Sequence, residues 1–218
     1  MPHFKKWNCS FTEKNRYKNM GVEDLAEAFI KIRKIGTPKI LDVGCSNGKA
    51  MKSLKELLRK SGINSYLVGI DINKKILKDA KRVFNRVFIG DILKNNNLDK
   101  ARIKFDVVIC SRVGIFVGHK IRASIINRCA DLVKPNGCLI TDIDAYDKFS
   151  KIKFSKEVVT SNKLGNHNFV MLVGSNTIRK HATSILDNWN NLPWYKKTYH
   201  NFDVLYHHFL RKIGFYSI

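Results

Sequence analysis

The chain has 218 residues, 44% of them hydrophobic, and its forty Lys and Arg against eighteen Asp and Glu give a net charge of +22. That length suits one domain with a normal core. No apolar run approaches the ~18 residues that a membrane helix needs, and Met1-Pro2-His3-Phe4-Lys5-Lys6-Trp7 has no signal-peptide core, so the expectation is a cytoplasmic protein with no membrane partner.

Taken in chain order, residues 22–34 place Val22, Leu25, Ala26, Phe29, Ile30 and Ile32 at helical spacing, and Gly36-Thr37-Pro38 ends that helix. Lys39 to Val43 reads as a short buried strand. Asn47 to Lys60 reads as a helix, with Met51, Leu54, Leu57 and Leu58 on one face and lysines largely outside it. Tyr66 to Asp71 is a second strand ending in an acid, and Asn73 caps a helix carrying Ile76, Leu77, Ala80 and Phe84. Arg86 to Asp91 is a third strand, again ending in an acid. A polar loop, Asn95-Asn96-Asn97, leads to a fourth strand, Phe105 to Cys110. Residues 120–133 form a helix, the turn Lys134-Pro135-Asn136-Gly137 follows, and Cys138 to Ile143 is a fifth strand. Residues 144–200 break this rhythm: 158–161 and 169–174 look like strands, and Trp189, Trp194, Tyr195 and Tyr199 follow. Helix returns at 202–213, and 214–218 looks like a last strand.

Strands and helices thus alternate from 39 to 143, and the strands are apolar runs. Both features predict an α/β fold, a Rossmann-like doubly wound, mostly parallel sheet with helices on both faces. Cys9, Cys45, Cys110, Cys129 and Cys138 are odd in number and include no Cys-x-x-Cys. They read as buried reduced thiols rather than a disulfide framework or zinc site, and no metal is expected.

In such a sheet, ligands bind beyond the carboxyl ends of the strands. The first such loop is Asp42-Val43-Gly44-Cys45-Ser46-Asn47-Gly48. A phosphate-binding P-loop needs four residues between its glycines, and here there are three. A dinucleotide fingerprint needs Gly-x-Gly-x-x-Gly, and here position 46 is Ser. The segment resembles motif I of the class I S-adenosylmethionine-dependent methyltransferases, with Ser46 in place of the family's middle glycine. Asp71 then matches the family's acid that accepts from both ribose hydroxyls, as a carboxylate with two acceptor oxygens suits. Asp91 matches the acid near the adenine amino group, with Ile92 at the ring. Leu132 to Ile140 resembles the family's Leu-x-Lys-Pro-Gly-Gly segment before strand five, and Tyr199 to Ile218 its last helix and following Gly-Phe. The resemblance implies S-adenosyl-L-methionine as cofactor, held by Asp42, Gly44, Cys45, Ser46, Gly48, Asp71, Ile72, Asp91, Ile92 and Ser111.

Under that resemblance the whole chain is one methyltransferase domain: an N-terminal helical segment over 1–36, a cofactor-binding core over 37–143, a β-containing lid and acceptor insertion over 144–200, and a final helix and strand over 201–218. The family adds an antiparallel seventh strand after its sixth, for which the chain's end leaves no room. Residues 155–174 either complete that edge or form the lid, and the lid is preferred.

The acceptor is expected beyond strands four and five, near Cys110, Ser111, Arg112, His119, Asp142, Asp144 and Tyr146. His119, Asp142 and Tyr146 are the candidates for acceptor contact or proton transfer. Cys110-Ser111-Arg112-Val113 carries neither the Asp/Asn-Pro-Pro-aromatic set of amino-methyltransferases nor a Pro-Cys nucleophile. The charge points to an anionic acceptor, RNA (a cap or tRNA guanine) first. A small-molecule acceptor is the alternative, and a catalytically silent, nucleic-acid-binding module of the same fold is a third reading.

Overall fold

A computed structural model of the chain describes residues 21–113, 117–143, 159–163, 167–195, 197–198 and 205–206. The first helix, α1 (Val22–Ile32), buries Val22, Leu25, Ala26, Phe29 and Ile30 along one stripe. The strand β1 (Lys39–Val43) is followed by α2 (Lys49–Lys60), whose buried residues are Met51, Leu54 and Leu58. Next come β2 (Tyr66–Asp71), a single helical turn α3 (Leu77–Ala80) and β3 (Arg86–Ile89). A short helix α4 (Asn96–Lys100) precedes β4 (Phe105–Cys110), then α5 (His119–Leu132) and β5 (Val133–Ile143). The last described elements of length are β6 (Val159–Lys163), β7 (His167–Val173) and α6 (Ser175–Asn190).

The seven strands form one sheet in the order β3-β2-β1-β4-β5-β7-β6. Pairing is parallel from β3 through β5, and β7 runs antiparallel to both β5 and β6. The alternation of side chains divides the core into two layers. Leu41, Val43, Val108 and Cys110 face Leu98, α5 and α6. Ile40, Val107 and Ile109 face α1, α2 and the turn around Leu77. Both faces of the central strands are covered, which is why they read as unbroken apolar runs.

The β-containing lid insertion after strand five is present as expected. Its two strands are also hydrogen-bonded into the main sheet, so 159–173 completes the edge as well, with β7 as the antiparallel strand. Three differences from the expectations have physical reasons. Residues 175–190, read as irregular, form a helix: Ile178, Ala182 and Ile185 recur at helical spacing and pack against α5. The polar stretch at Asn95 starts a helix, because the Asn95 side chain accepts from the Leu98 N–H at 3.1 Å and buries Leu98 beneath it. The turn at Lys134–Gly137 lies within β5, as an interruption between the Phe105–Val133 and Val107–Cys138 pairs. Gly137 is required there because a Cβ would lie 2.7 Å from the Asp106 carbonyl oxygen. Of the expected terminal segment, only Leu205 and Tyr206 are described, and both are helical; residues 1–20 and 207–218 lie outside the described residues.

Candidate active site

The loop after β1 folds across the end of β2. Gly44 and Cys45 donate their N–H groups to the Ile70 carbonyl, at 2.8 and 3.2 Å. Gly44, Ser46 and Gly48 all have positive φ, at 75°, 49° and 84°. Glycine adopts that conformation freely, and Ser46 is a non-glycine residue held in it. A Cβ on Gly44 would run into Val113 Cγ2, and one on Gly48 would lie 3.0 Å from Phe84 Cε2. The two glycines thus allow β4's following loop and the Phe84 ring to close against the backbone.

Asp71 ties this loop to the sheet. Its Oδ2 accepts the Ser46 N–H at 2.9 Å, and its Oδ1 accepts the Asn73 N–H at 2.8 Å. Asp42 lies on the neighbouring strand, opposite Gly69. It is 7% exposed, and burial first, then the charge of Asp71, pushes its carboxyl up to about 8. At neutral pH one of these two adjacent acids is therefore largely protonated. Ser46 Oγ is buried with no hydrogen-bond partner among the described residues.

The third strand-end acid, Asp91, accepts the Leu93 N–H at 2.9 Å. Ile92 is buried, and its carbonyl accepts from Arg128 Nε at 3.4 Å. Ile72, by contrast, is 71% exposed and leaves apolar surface open beside Asp71.

On the other side of the sheet's centre, Ser111 Oγ donates to Asp142 Oδ1 at 3.0 Å, and the Arg112 N–H donates to Asp142 Oδ2. The ends of β4 and β5 are thereby joined through one carboxylate. His119 opens α5, is 1% exposed and stacks on Trp189 of α6 with ring centroids 4.2 Å apart. Trp189 thus packs against the start of α5. Tyr146 and Asp144 lie outside the described residues.

Cys45, Cys110, Cys129 and Cys138 are buried free thiols. Burial, with Asp42 and Asp71 adding to it, pushes the Cys45 thiol far up; a hydrogen bond with Cys129, then burial, does the same to Cys110. Neither thiol has nucleophilic character in this setting. No cluster of metal-ligating side chains occurs among the described residues.

Two positions escaped the sequence reading. Gly69, in the middle of β2, faces Cys45, and a Cβ there would lie 2.7 Å from its Sγ. A lone glycine inside an apolar strand marks such close approach, and Tyr66-Leu67-Val68-Gly69-Ile70 carries that signal. Val113, which covers Gly44, has no signal in the sequence, because the contact joins residues far apart in the chain.

Residues 40–137 match the family model of a methyltransferase domain. The chain has the fold of the class I S-adenosylmethionine-dependent methyltransferases. Among curated proteins, an uncharacterised protein of Rickettsia prowazekii is 34% identical over 104 residues, 46% of this chain and 40% of that protein. A carboxy-S-adenosyl-L-methionine synthase of Wolinella succinogenes is 27% identical over 133 residues, 60% of this chain and 49% of that protein. The chain thus spans less than half the length of either curated relative. Among solved structures, magnesium protoporphyrin IX methyltransferase from Synechocystis PCC 6803 superposes with a TM-score of 0.50 at 16% identity, over 68% of this chain and 76% of that one. The Gly44–Gly48 loop follows β1, Asp71 ends β2 and Asp91 follows β3.

Proposed function

We propose that the chain binds S-adenosylmethionine at the Gly44–Gly48 loop and transfers its methyl group to an acceptor beyond β4 and β5. The observation that carries this reading is the Asp71 carboxylate. Each of its oxygens accepts one backbone N–H, from Ser46 and from Asn73. A carboxylate oxygen has room for a second bond, so both retain capacity for the paired hydroxyls of a ribose. The residues fit the cofactor in two further ways. The glycines at positive φ turn the loop's backbone across the ends of β1 and β2, and the buried Ser46 hydroxyl supplies a polar atom without a hydrogen-bond partner among the described residues.

The assignment of contacts follows the strand ends. Asp42, Gly44, Cys45, Ser46 and Gly48 shape the loop, Asp71 takes the ribose, and Ile72, Asp91 and Ile92 border the adenine. Ser111 closes the far side through its bond to Asp142. When bound, the cofactor supplies an electrophilic methyl group that passes in line to the acceptor and leaves a thioether. The chain's own task is to hold donor and acceptor at attack distance. Asp142, His119 and Tyr146 are the proposed acceptor-side residues, with Asp142 fixed by Ser111 and Arg112.

For the acceptor, the net charge of +22 supports RNA. A small-molecule acceptor is supported by the names of the two characterised relatives, a carboxy-S-adenosyl-L-methionine synthase and a porphyrin methyltransferase. The test is calorimetric titration with S-adenosylhomocysteine beside Asp71→Ala. Micromolar binding that is lost in the variant is expected; folded wild-type protein that does not bind refutes the reading. Transfer of labelled methyl from S-adenosylmethionine to total RNA, or to an extract freed of RNA, then separates the acceptors.

A further inference from the structure

Charge is distributed unequally between the two faces of the sheet. On the α5 and α6 side, cations meet acids: Arg128 pairs with Asp99 at 2.6 Å, Lys134 with Asp106 at 2.8 Å, and Arg179 with Asp131. On the opposite face α1 holds one pair, Lys31 with Glu27 at 2.7 Å, but α2 and the segment after β2 hold none among the described residues. Between Lys49 and Arg86 the chain places eleven Lys and Arg against three Asp and Glu. Asp71 is one of the three, buried in the cofactor site. None of the eleven enters an ion pair among the described residues.

These cations form one surface. The α2 helix lies along the segment that follows α3: Lys55 Nζ donates to the Val83 carbonyl at 3.2 Å, and Gly48 abuts Val83 and Phe84. Lys52 and Arg59 on α2, and Lys78, Lys81 and Arg82 beside it, are exposed. The first turn of α2 holds no acid and begins with Lys49, against the preference of a helix N-terminus for negative charge. Like charges at this spacing repel and destabilise the free chain. A polyanion laid across the surface removes that penalty.

We propose that α2 and residues 78–86 form a docking surface for the phosphate backbone of double-helical RNA, separate from the acceptor mouth. Three features select a duplex phosphate backbone, and the RNA reading of the acceptor makes that duplex RNA. The twelve residues of α2 extend about 18 Å, long enough to track several phosphates of one strand. A membrane surface requires apolar side chains to insert, and the one exposed large apolar residue between Lys49 and Arg86 is Ile72, at the cofactor cleft. Unstacked single strands require exposed aromatic rings, and this surface has none. Backbone charge is what remains to be read. The proposal deepens the RNA reading of the acceptor and does not depend on cofactor binding.

The test compares two variants with equal loss of charge. One is Lys52→Ala, Arg59→Ala, Lys78→Ala and Lys81→Ala combined. The other is Lys94→Ala, Lys100→Ala, Lys120→Ala and Lys180→Ala combined, all exposed and outside the surface. Binding of a labelled RNA duplex of about two turns is followed by fluorescence anisotropy from about 50 to 200 mM salt. The first variant is expected to bind on the order of tenfold more weakly or worse, with the slope of log K against log salt shallower by about 2–4. The second is expected to stay close to wild type. S-adenosylhomocysteine titration and thermal melting of both variants keep folding and the cofactor site separate from the result. Equal losses in the two variants overturn the proposal, as does absence of duplex binding by wild type. Tighter binding to a DNA duplex, or to vesicles containing phosphatidylserine, overturns it as well.

Discussion

Gly69 offers a sharp test of how the Gly44–Gly48 loop is seated. It pairs with Asp42 on one side and Val87 on the other, so its backbone is fixed by two strands. In Gly69→Ala the new Cβ would lie 2.7 Å from Cys45 Sγ, 3.2 Å from Cys45 Cβ and 3.2 Å from Phe84 Cε1, where ordinary contact is 3.4–4 Å. Cys45 is 4% exposed and lies between two residues at positive φ, so it has little freedom to withdraw. Overpacking of this kind costs ~1–3 kcal/mol. In a chain of this size each kcal/mol lowers Tm by about 2–4 °C, so a fall of about 4–8 °C is expected for the middle of that range. The displaced loop carries the Ser46 N–H away from Asp71, so S-adenosylhomocysteine binding weakens as well. Removing the sulfur removes the clash. In a Cys45→Ala background, Gly69→Ala is expected to cost less than ~1 kcal/mol, a coupling of about 1–2 kcal/mol in the double-mutant cycle. Urea titration of the four proteins measures it. If Gly69→Ala costs the same with and without the Cys45 sulfur, the packing argument is refuted.

Asp42 sets a pH dependence. Its folded carboxyl titrates near 8 against an ordinary 3.8, so between those values the folded chain holds the extra proton and loses stability as pH rises. Asp42→Asn removes the slope, at most about 1.4 kcal/mol per pH unit; the difference in Tm between variant and wild type should widen in the variant's favour from pH 5 to pH 8, and a constant difference refutes the assignment. Ser46→Gly relieves a left-handed residue of about 1 kcal/mol and removes the partnerless hydroxyl, so Tm should rise by a few degrees while S-adenosylhomocysteine affinity falls; a gain in affinity shows that the hydroxyl does not face the ligand. Trp189→Ala strips the ring stacked on His119 and should cost about 1–3 kcal/mol, with Trp189→Phe retaining most of it; equal costs, by urea titration, refute a stacking contribution.

The parallel half of the sheet was legible because its strands are buried on both faces and so appear as uninterrupted apolar runs, each ending in an acid or a polar loop. The strand ends were legible for a related reason: Gly44, Gly48, Asp71 and Asp91 break otherwise apolar runs. The far edge was harder. The Val159–Lys163 strand, Val-Thr-Ser-Asn-Lys, has no apolar run, and only its pairing with β7 makes it a strand. The α6 stripe of Ile178, Ala182 and Ile185 was present but diluted by Asn, Ser, Thr and His, which suit loops as well as helices. The post-Asn73 helix was over-read: Asn73 does accept the Lys75 N–H at 3.0 Å, but regular helix is confined to Leu77–Ala80. Contacts across the chain, such as Val113 on Gly44, have no local signature at all.

The strand order also dictates how the molecule must assemble. β1, β2 and β3 come from one continuous stretch of chain, and β4, β5, β7 and β6 from the next. Within each stretch, paired residues lie close in sequence, as with Val68 and Arg86. The two stretches meet in the sheet only between β1 and β4, where Ile40 pairs with Val107, 67 residues away. That is the largest chain closure in the sheet, and it carries the largest entropic cost. The contact between the Gly44 loop and Val113 exists only after this seam has closed. A ligand bound across the ends of β1 and β4 therefore clamps the two halves together, and amide exchange in β1 and β4 should slow on binding more than exchange in β3 or β6.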